Sequence, residues 1–259
     1  MVTWQELRSF LEKTAPPELA ESYDNVGLLI EGESTEIKKV LLALDVSEYT
    51  VEQAETVGAD LIISHHPLLF QPIRCLTKQT GSERAIRSLL QKGIGLYAMH
   101  TNFDSAGEGL CDAFLDNFGS FSVRSSFSGE AAGIGRIGKL KAPCNLLEVL
   151  ETARQNFGNI AISYVGDPLM RVDTVAVCNG GGGDLLYDAY KLGAQVYVSG
   201  DFKHHHARFA AENNVGLINI SHYDAEIGFS FLLEKKLIDK FGERLQVICS
   251  YEQNPWKEF

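Results

Sequence analysis

Residues 61–67 read Leu-Ile-Ile-Ser-His-His-Pro, a short apolar run that stops at two imidazoles, and three other runs in the chain end the same way. Residues 94–99 (IGLYAM) lead into His100-Thr101-Asn102-Phe103-Asp104, and residues 195–199 (QVYVS) into Gly200-Asp201 and His204-His205-His206. Residues 215–221 (VGLINIS) lead into His222-Tyr223-Asp224-Ala225-Glu226, and all seven histidines of the chain fall in these four stretches. Short continuous apolar runs are the mark of strands buried on both faces of a parallel sheet. The carboxyl ends of such strands lie along one rim, where these folds place their sites. Four clusters far apart in sequence are therefore expected to meet.

Working outward, the segments between these runs read as helices. Thr3 with Glu6 is a capping box that opens a first helix, and Pro16-Pro17 close it near Ala15. A strand at 40–45, a helix around 48–57, a helix capped by Ser82 and closed at Gly93, and a helix ending before Gly119 complete a first βαβ series. Residues 119–135, rich in Ser and Gly, mark a boundary. Beyond it the pattern resumes: a strand near RIGKLK, a helix capped by Asn145, a strand at AISYV, then VAVCN at 175–179, a helix around 184–192, one over 202–212 and one from about 225 to 241. A shift of 135 residues lays Val40 on Val175, Gly58-Ala59 on Gly193-Ala194 and Ser64 on Ser199, and a shift of 121 lays Ile94-Gly95-Leu96 on Val215-Gly216-Leu217. The expected fold is α/β: two similar, mainly parallel halves, residues 1–124 and 125–259, related by a pseudo-twofold, with the site in the cleft between them. The C-terminal helix is a candidate to pack back on the first half.

Composition sets the remaining bounds. The 259 residues are 45% hydrophobic and 22% charged, ordinary globular proportions, with a formal charge of −11. No basic stripe offsets that acidity, so nucleic acid is not the expected partner. No apolar run approaches the length of a membrane span, and the start reads as an amphipathic helix, so the expected location is the cytoplasm. The five cysteines are dispersed without a C-x-x-C pair and read as reduced core residues.

Imidazole nitrogens and carboxylate oxygens together make cages for Zn, Fe, Mn and similar divalent ions. Adjacent His65 and His66 on an extended backbone would point to opposite sides, each toward one of two neighbouring ions. Glu226, four residues after His222, can reach back to the same point and bridge two ions, and Asp104 can close the other side. His100 fits a direct ligand or an orienting role equally. Asp201 and His205 could hydrogen-bond a small molecule or orient a ligating imidazole. His204 and His206 read as solvent-facing or orienting residues on a helix. Gly180-Gly181-Gly182-Gly183 fits a plain flexible βα turn better than a phosphate cradle, since the nucleotide motifs are absent. Asp24-Asn25 could be an Asx turn, with Asp24 also a candidate to orient a ligand or bind substrate, as is Tyr223, and Asp45 could be a helix cap or a site residue.

Tyr23-Asp24-Asn25-Val26-Gly27-Leu28, Ser64-His65-His66-Pro67, His100-Thr101-Asn102-Phe103-Asp104, Gly200-Asp201 with His205, and His222-Tyr223 with Glu226 resemble, in order, the motifs of the NIF-three-like proteins. These are also called GTP cyclohydrolase I type 2 homologues or dinuclear metal centre proteins. The resemblance runs over almost the whole chain and departs locally at Ser221, where Gly was expected. It implies two similar α/β domains with a two-metal site between them, in rings of six subunits. It assigns ligand roles to His65, His66, Asp104, His222 and Glu226, the last bridging both ions. The leading functional expectation is a metal-dependent hydrolase of a small nucleotide-like substrate, with ring-opening of GTP suggested by the family name. The alternative is a metal-binding regulatory or metal-handling protein without turnover, since no separate general acid or base stands out beyond Tyr223, Asp224 and His100.

Overall fold

The computed structural model describes residues 1–257. It divides into two compact units, Met1–Phe103 with the chain from Gly228 onward, and Asp104–Ile227. The chain is α/β as expected, but the division differs from 124/125 for a reason that local pattern does not carry. Strand Phe121–Ser125, inside the Ser/Gly-rich stretch, pairs with Arg136–Asn145 and so belongs to the second unit. At the other end, Gln246–Cys249 pairs parallel with Lys39–Ala43 and returns the C-terminal segment to the first.

The first unit is built on a five-stranded sheet in the order Gln246–Cys249, Lys39–Ala43, Leu61–Ser64, Gly95–Ala98, Gly27–Ile30, and only the last strand runs antiparallel to its neighbour. Leu61–Ser64 and Gly95–Ala98 are buried at every position, as their unbroken apolar character predicts. Helices Glu48–Val57 and Gly81–Lys92 press Val51, Ala54, Ile86 and Leu89 onto Leu41, Ile62 and Leu96. Each such large side chain contributes about 1.5–3 kcal/mol by leaving water. The caps follow sequence chemistry. Thr3 and Glu6 form the expected capping box, while the helix beginning at Gly81 is capped by Thr80 rather than Ser82, because the Thr80 hydroxyl accepts from the Glu83 N–H. The segment expected as one helix from about 225 is two, His222–Glu226 and Gly228–Phe241. The latter lies in the first unit, with Phe229, Leu233 and Leu237 buried along one stripe.

The second unit carries a six-stranded sheet in the order Phe121–Ser125, Arg136–Asn145, Arg171–Val177, Val196–Ser199, Gly216–Ile220, Ile162–Val165. Only its three consecutive central strands, Arg171–Val177, Val196–Ser199 and Gly216–Ile220, are parallel to one another. The other pairings are antiparallel, so this sheet is more mixed than expected. The registers nevertheless repeat between the units. Val40 lies opposite Leu61 and Val175 opposite Val196, while Leu61 lies opposite Gly95 and Val196 opposite Gly216. In both sheets an antiparallel strand from earlier in the chain flanks the third parallel strand. Among the described residues no helix is long and apolar enough to cross a membrane.

Candidate metal centre

In the first unit, strands Lys39–Ala43, Leu61–Ser64 and Gly95–Ala98 end side by side and deliver three imidazoles. The His65 N–H donates to the Ala43 carbonyl (3.0 Å) and the His66 N–H to that of Leu44 (2.9 Å), carrying the ladder just past the strand end. Fully buried His65 places Nδ1 2.8 Å from the Met99 carbonyl oxygen. His66 places Nδ1 2.9 Å from Asp45 Oδ1, and His100 places Nδ1 2.9 Å from Asp24 Oδ1. Carbonyl and carboxylate oxygens only accept, so in each ring Nδ1 carries a proton. Ligand atoms of the three histidines lie within 4.8 Å of one another. His65 and His66 therefore do not point to opposite sides; their ring centroids are 5.1 Å apart, because the extended backbone stops at Ser64.

Asp24 is more than an Asx turn. Besides accepting the Asn25 N–H (2.8 Å), its carboxylate takes the Thr101 N–H (3.1 Å) and hydroxyl as well as the His100 proton. Burial opposes its ionisation, but the hydrogen bonds from His100 and Thr101 outweigh that and hold it down at about 2. Asp45 likewise orients His66 rather than capping the helix that starts at Glu48, whose cap is Ser47.

The second unit brings acids to the same kind of strand end. Asp201, after Val196–Ser199, adopts the left-handed region (φ 54°), which Asp tolerates, and sets Oδ2 2.8 Å from His222 Nδ1. His222 Nε2 lies 2.9 Å from Glu226 Oε2, one helical turn on, as the spacing predicts. Ser221, the departure from the expected Gly, caps this helix by accepting the Asp224 N–H. Sequence reasoning missed Asn179. Its side-chain amide donates to Asp104 Oδ1 (2.8 Å) and Glu226 Oε1 (3.1 Å), and its Oδ1 accepts from the Cys111 thiol. One buried amide thus aims two buried carboxylates; the available signal was its place at the end of the apolar run 175–178. The glycine loop behind it is a close fit rather than a flexible turn. A Cβ on Gly180 would stand 2.0 Å from Glu226 Oε1, and one on Gly183 2.7 Å from the His206 ring.

The remaining expectations sort by geometry. His206 is buried, not solvent-facing: its Nδ1 accepts the Lys203 N–H and its Nε2 donates to Asp184 (each 3.1 Å). Asp184, His205 and His206 gather donor atoms within 4.8 Å, but with both ring nitrogens of His206 engaged that group is a helix-start clasp. His204 and His205 are exposed, and Tyr223 is half-buried beside His222. Only Cys111 and Cys178 are buried among the five free cysteines; Cys75 is exposed. The Cys111 contact, then burial, push the Cys178 thiol well up, so it stays neutral.

Imidazoles presented through Nε2 with Nδ1 held by oxygen, and carboxylates held by an amide, fit divalent cations of the Zn, Fe or Mn type. Fold and donor clusters thus define an α/β protein with residues that could hold metal. A model of the DUF34/NIF3 family (NGG1p interacting factor 3) matches residues 2–255, and the chain belongs to that family. It is 33% identical over 258 residues to a Clostridium perfringens protein called a GTP cyclohydrolase 1 type 2 homolog, covering 98% of both chains. It is 32% identical to the Drosophila melanogaster NIF3-like protein 1 over 85% of this chain and 76% of that one. Among solved structures, a Staphylococcus aureus hypothetical protein matches at TM-score 0.85 and 28% identity, covering 100% of this chain and 99% of that one. Reduced HcgD from Methanocaldococcus jannaschii matches at 0.82 and 29%, covering 96% and 97%.

Proposed function

We propose that this chain is a dinuclear metal hydrolase of a small, nucleotide-like substrate, its ions held by His65, His66, Asp104, His222 and Glu226, with Glu226 shared. The observation that carries the reading is the common way the four rings are held. His65, His66, His100 and His222 each hold Nδ1 against an oxygen, so Nε2 is the nitrogen left to meet a cation, and at His222 that Nε2 faces the Glu226 carboxylate at 2.9 Å. Imidazoles serving only as surface or core groups have no reason to share that arrangement at three strand ends. A bound pair of divalent ions supplies polarisation of a carbonyl or phosphoryl oxygen and a water of lowered pKa.

The chain's own residues have definable parts in this. Asp45, Asp24, Asp201 and the Met99 carbonyl fix each ring's tautomer and direction, and Asn179 keeps the Asp104 and Glu226 carboxylates facing one way. Five protein donors leave coordination positions open for substrate, which favours turnover over a purely structural site. The names of the C. perfringens and related proteins point the same way, toward GTP as the first compound to try.

The test is elemental analysis of chain stripped with chelator and reloaded separately with Zn, Mn and Fe(II), followed by assay on GTP, phosphoesters and cyclic amides. Two ions per chain, and loss of uptake in E226A, are expected. A chain that takes up less than one ion at saturation overturns the reading. Two ions with no turnover of any compound identifies instead the non-catalytic, metal-handling alternative.

A further inference from the structure

Beside the histidines of the first unit lies a cavity of about 920 Å³, in the range that encloses small organic ligands. Its apolar wall is made by Ile86 and Leu90, one turn apart on the helix Gly81–Lys92. Tyr23 and Phe70 stand at its edge, 64% and 40% exposed, with ring centroids 6.4 Å apart in an edge-to-face pair. Large apolar side chains left this exposed around one concavity mark a binding surface. Arg74 is the cation that lines it, and among the described residues it has no ion-pair partner. Asp24 also borders the cavity, but its carboxylate is buried and committed to His100 and Thr101. The Phe70 ring lies 6.3 Å from that of His100, so whatever occupies the cavity abuts the imidazole cluster.

We propose that this cavity captures a flat aromatic ring bearing an anionic group, the ring between Tyr23 and Phe70 and the wall of Ile86 and Leu90, the anion on Arg74. A planar π-system can lie offset over one of these rings and meet the other edge-on, and a guanidinium matches a phosphate or carboxylate in two-pronged fashion. That the captured compound is the substrate rests on the hydrolase reading above; the capture itself does not.

Cys75, the exposed cysteine of the chain, lines the same cavity and reports on it directly. The experiment follows iodoacetamide alkylation of Cys75 by peptide mass spectrometry, with half-buried Cys144 and Cys249 as internal references. The probes are 1-naphthyl phosphate, GMP, 1-naphthol and inorganic phosphate. A ligand at ten times its Kd slows alkylation about tenfold, since only the empty site reacts. Slowing by 1-naphthyl phosphate or GMP is expected at Cys75 alone. F70A should abolish it for every probe, R74Q should abolish it for the phosphates but not for naphthol, and exposed Phe231→Ala should leave it intact. No slowing at millimolar probe, equal slowing by inorganic phosphate, or slowing that survives F70A each overturns the proposal. Running the assay on metal-stripped and reloaded chain separates the two readings. Protection in a chain that takes up no ions leaves the pocket standing and the metal centre refuted, and two ions without protection does the reverse.

Discussion

Gly180→Ala is the substitution whose consequence the structure defines most sharply. The residue has φ +62°, and a Cβ there would sit 2.0 Å from Glu226 Oε1, 2.8 Å from its Cδ and 3.0 Å from His222 Nε2. Ordinary contact begins near 3.4 Å, so the carboxylate must retreat by about 3.4 − 2.0, or 1.4 Å. Metal–ligand distances tolerate roughly 0.2 Å either way, so a shift of this size removes Glu226 as a donor. The left-handed backbone adds about 1–2 kcal/mol of strain for an alanine. That second cost must be separated from the first, and Gly58 does so: it has φ +67° and nothing within 4 Å of its Cβ position. G58A should therefore lose stability, with Tm lower by about 2–4 °C per kcal/mol, and keep full ion uptake. Gly228, inside a helix with no close neighbour and no positive φ, supplies the control free of both effects. The assay is thermal unfolding beside elemental analysis of reloaded protein for all three variants. G180A should match G58A in stability to within the clash it must relieve, yet fall below two ions per chain. If G180A binds as many ions as G58A with unchanged affinity, Glu226 is not a ligand where the glycine loop holds it, and the reasoning fails.

Other outcomes follow from the same contacts. N179L, which keeps volume but removes the amide shared by Asp104 and Glu226, should weaken ion binding by about 10–100-fold in chelator competition while leaving the circular dichroism unchanged. D45A and D201A should each lower affinity by a similar factor through loss of imidazole orientation. His206→Ala should cost about 1–3 kcal/mol in urea unfolding, because the Lys203 N–H loses its buried acceptor, with no change in ion stoichiometry. Glu6 is held at about 2, against 4.5 ordinarily, by the Thr3 backbone N–H and then by Arg244. A depressed folded value stabilises above the unfolded one and is lost on acidification, so E6Q should flatten the fall of stability between about pH 4.5 and 2.

What the sequence disclosed and what it hid divide along the range of the interactions involved. Apolar runs ending at His65, His100 and His222 were legible because a buried parallel strand shows as an unbroken run and its carboxyl end is known in advance. The Thr3–Glu6 box and the Asn145 cap were legible because both partners lie within one turn. Asn179 was not, since an amide at a strand end carries no metal-ligand signature until Asp104, 75 residues earlier, and Glu226, 47 later, are brought onto its two N–H groups. His206 misled for the complementary reason: a histidine among three in a row on a helix looks like a solvent-facing or orienting residue, whereas it is buried and Lys203 and Asp184 use both of its nitrogens. The boundary near residue 124 failed on pairing alone. Ser- and Gly-rich composition reads as linker, but Phe121–Ser125 finds a ladder on Arg136–Asn145, and Gln246–Cys249 finds one on Lys39–Ala43 about 200 residues away. The spacing of oxygen acceptors makes the same point for chemistry. Asp45, Asp24 and Asp201 lie 21, 76 and 21 residues from the imidazoles they orient, so ligands and orienting acids were readable singly as candidates while which acid aims which ring emerges only from the fold.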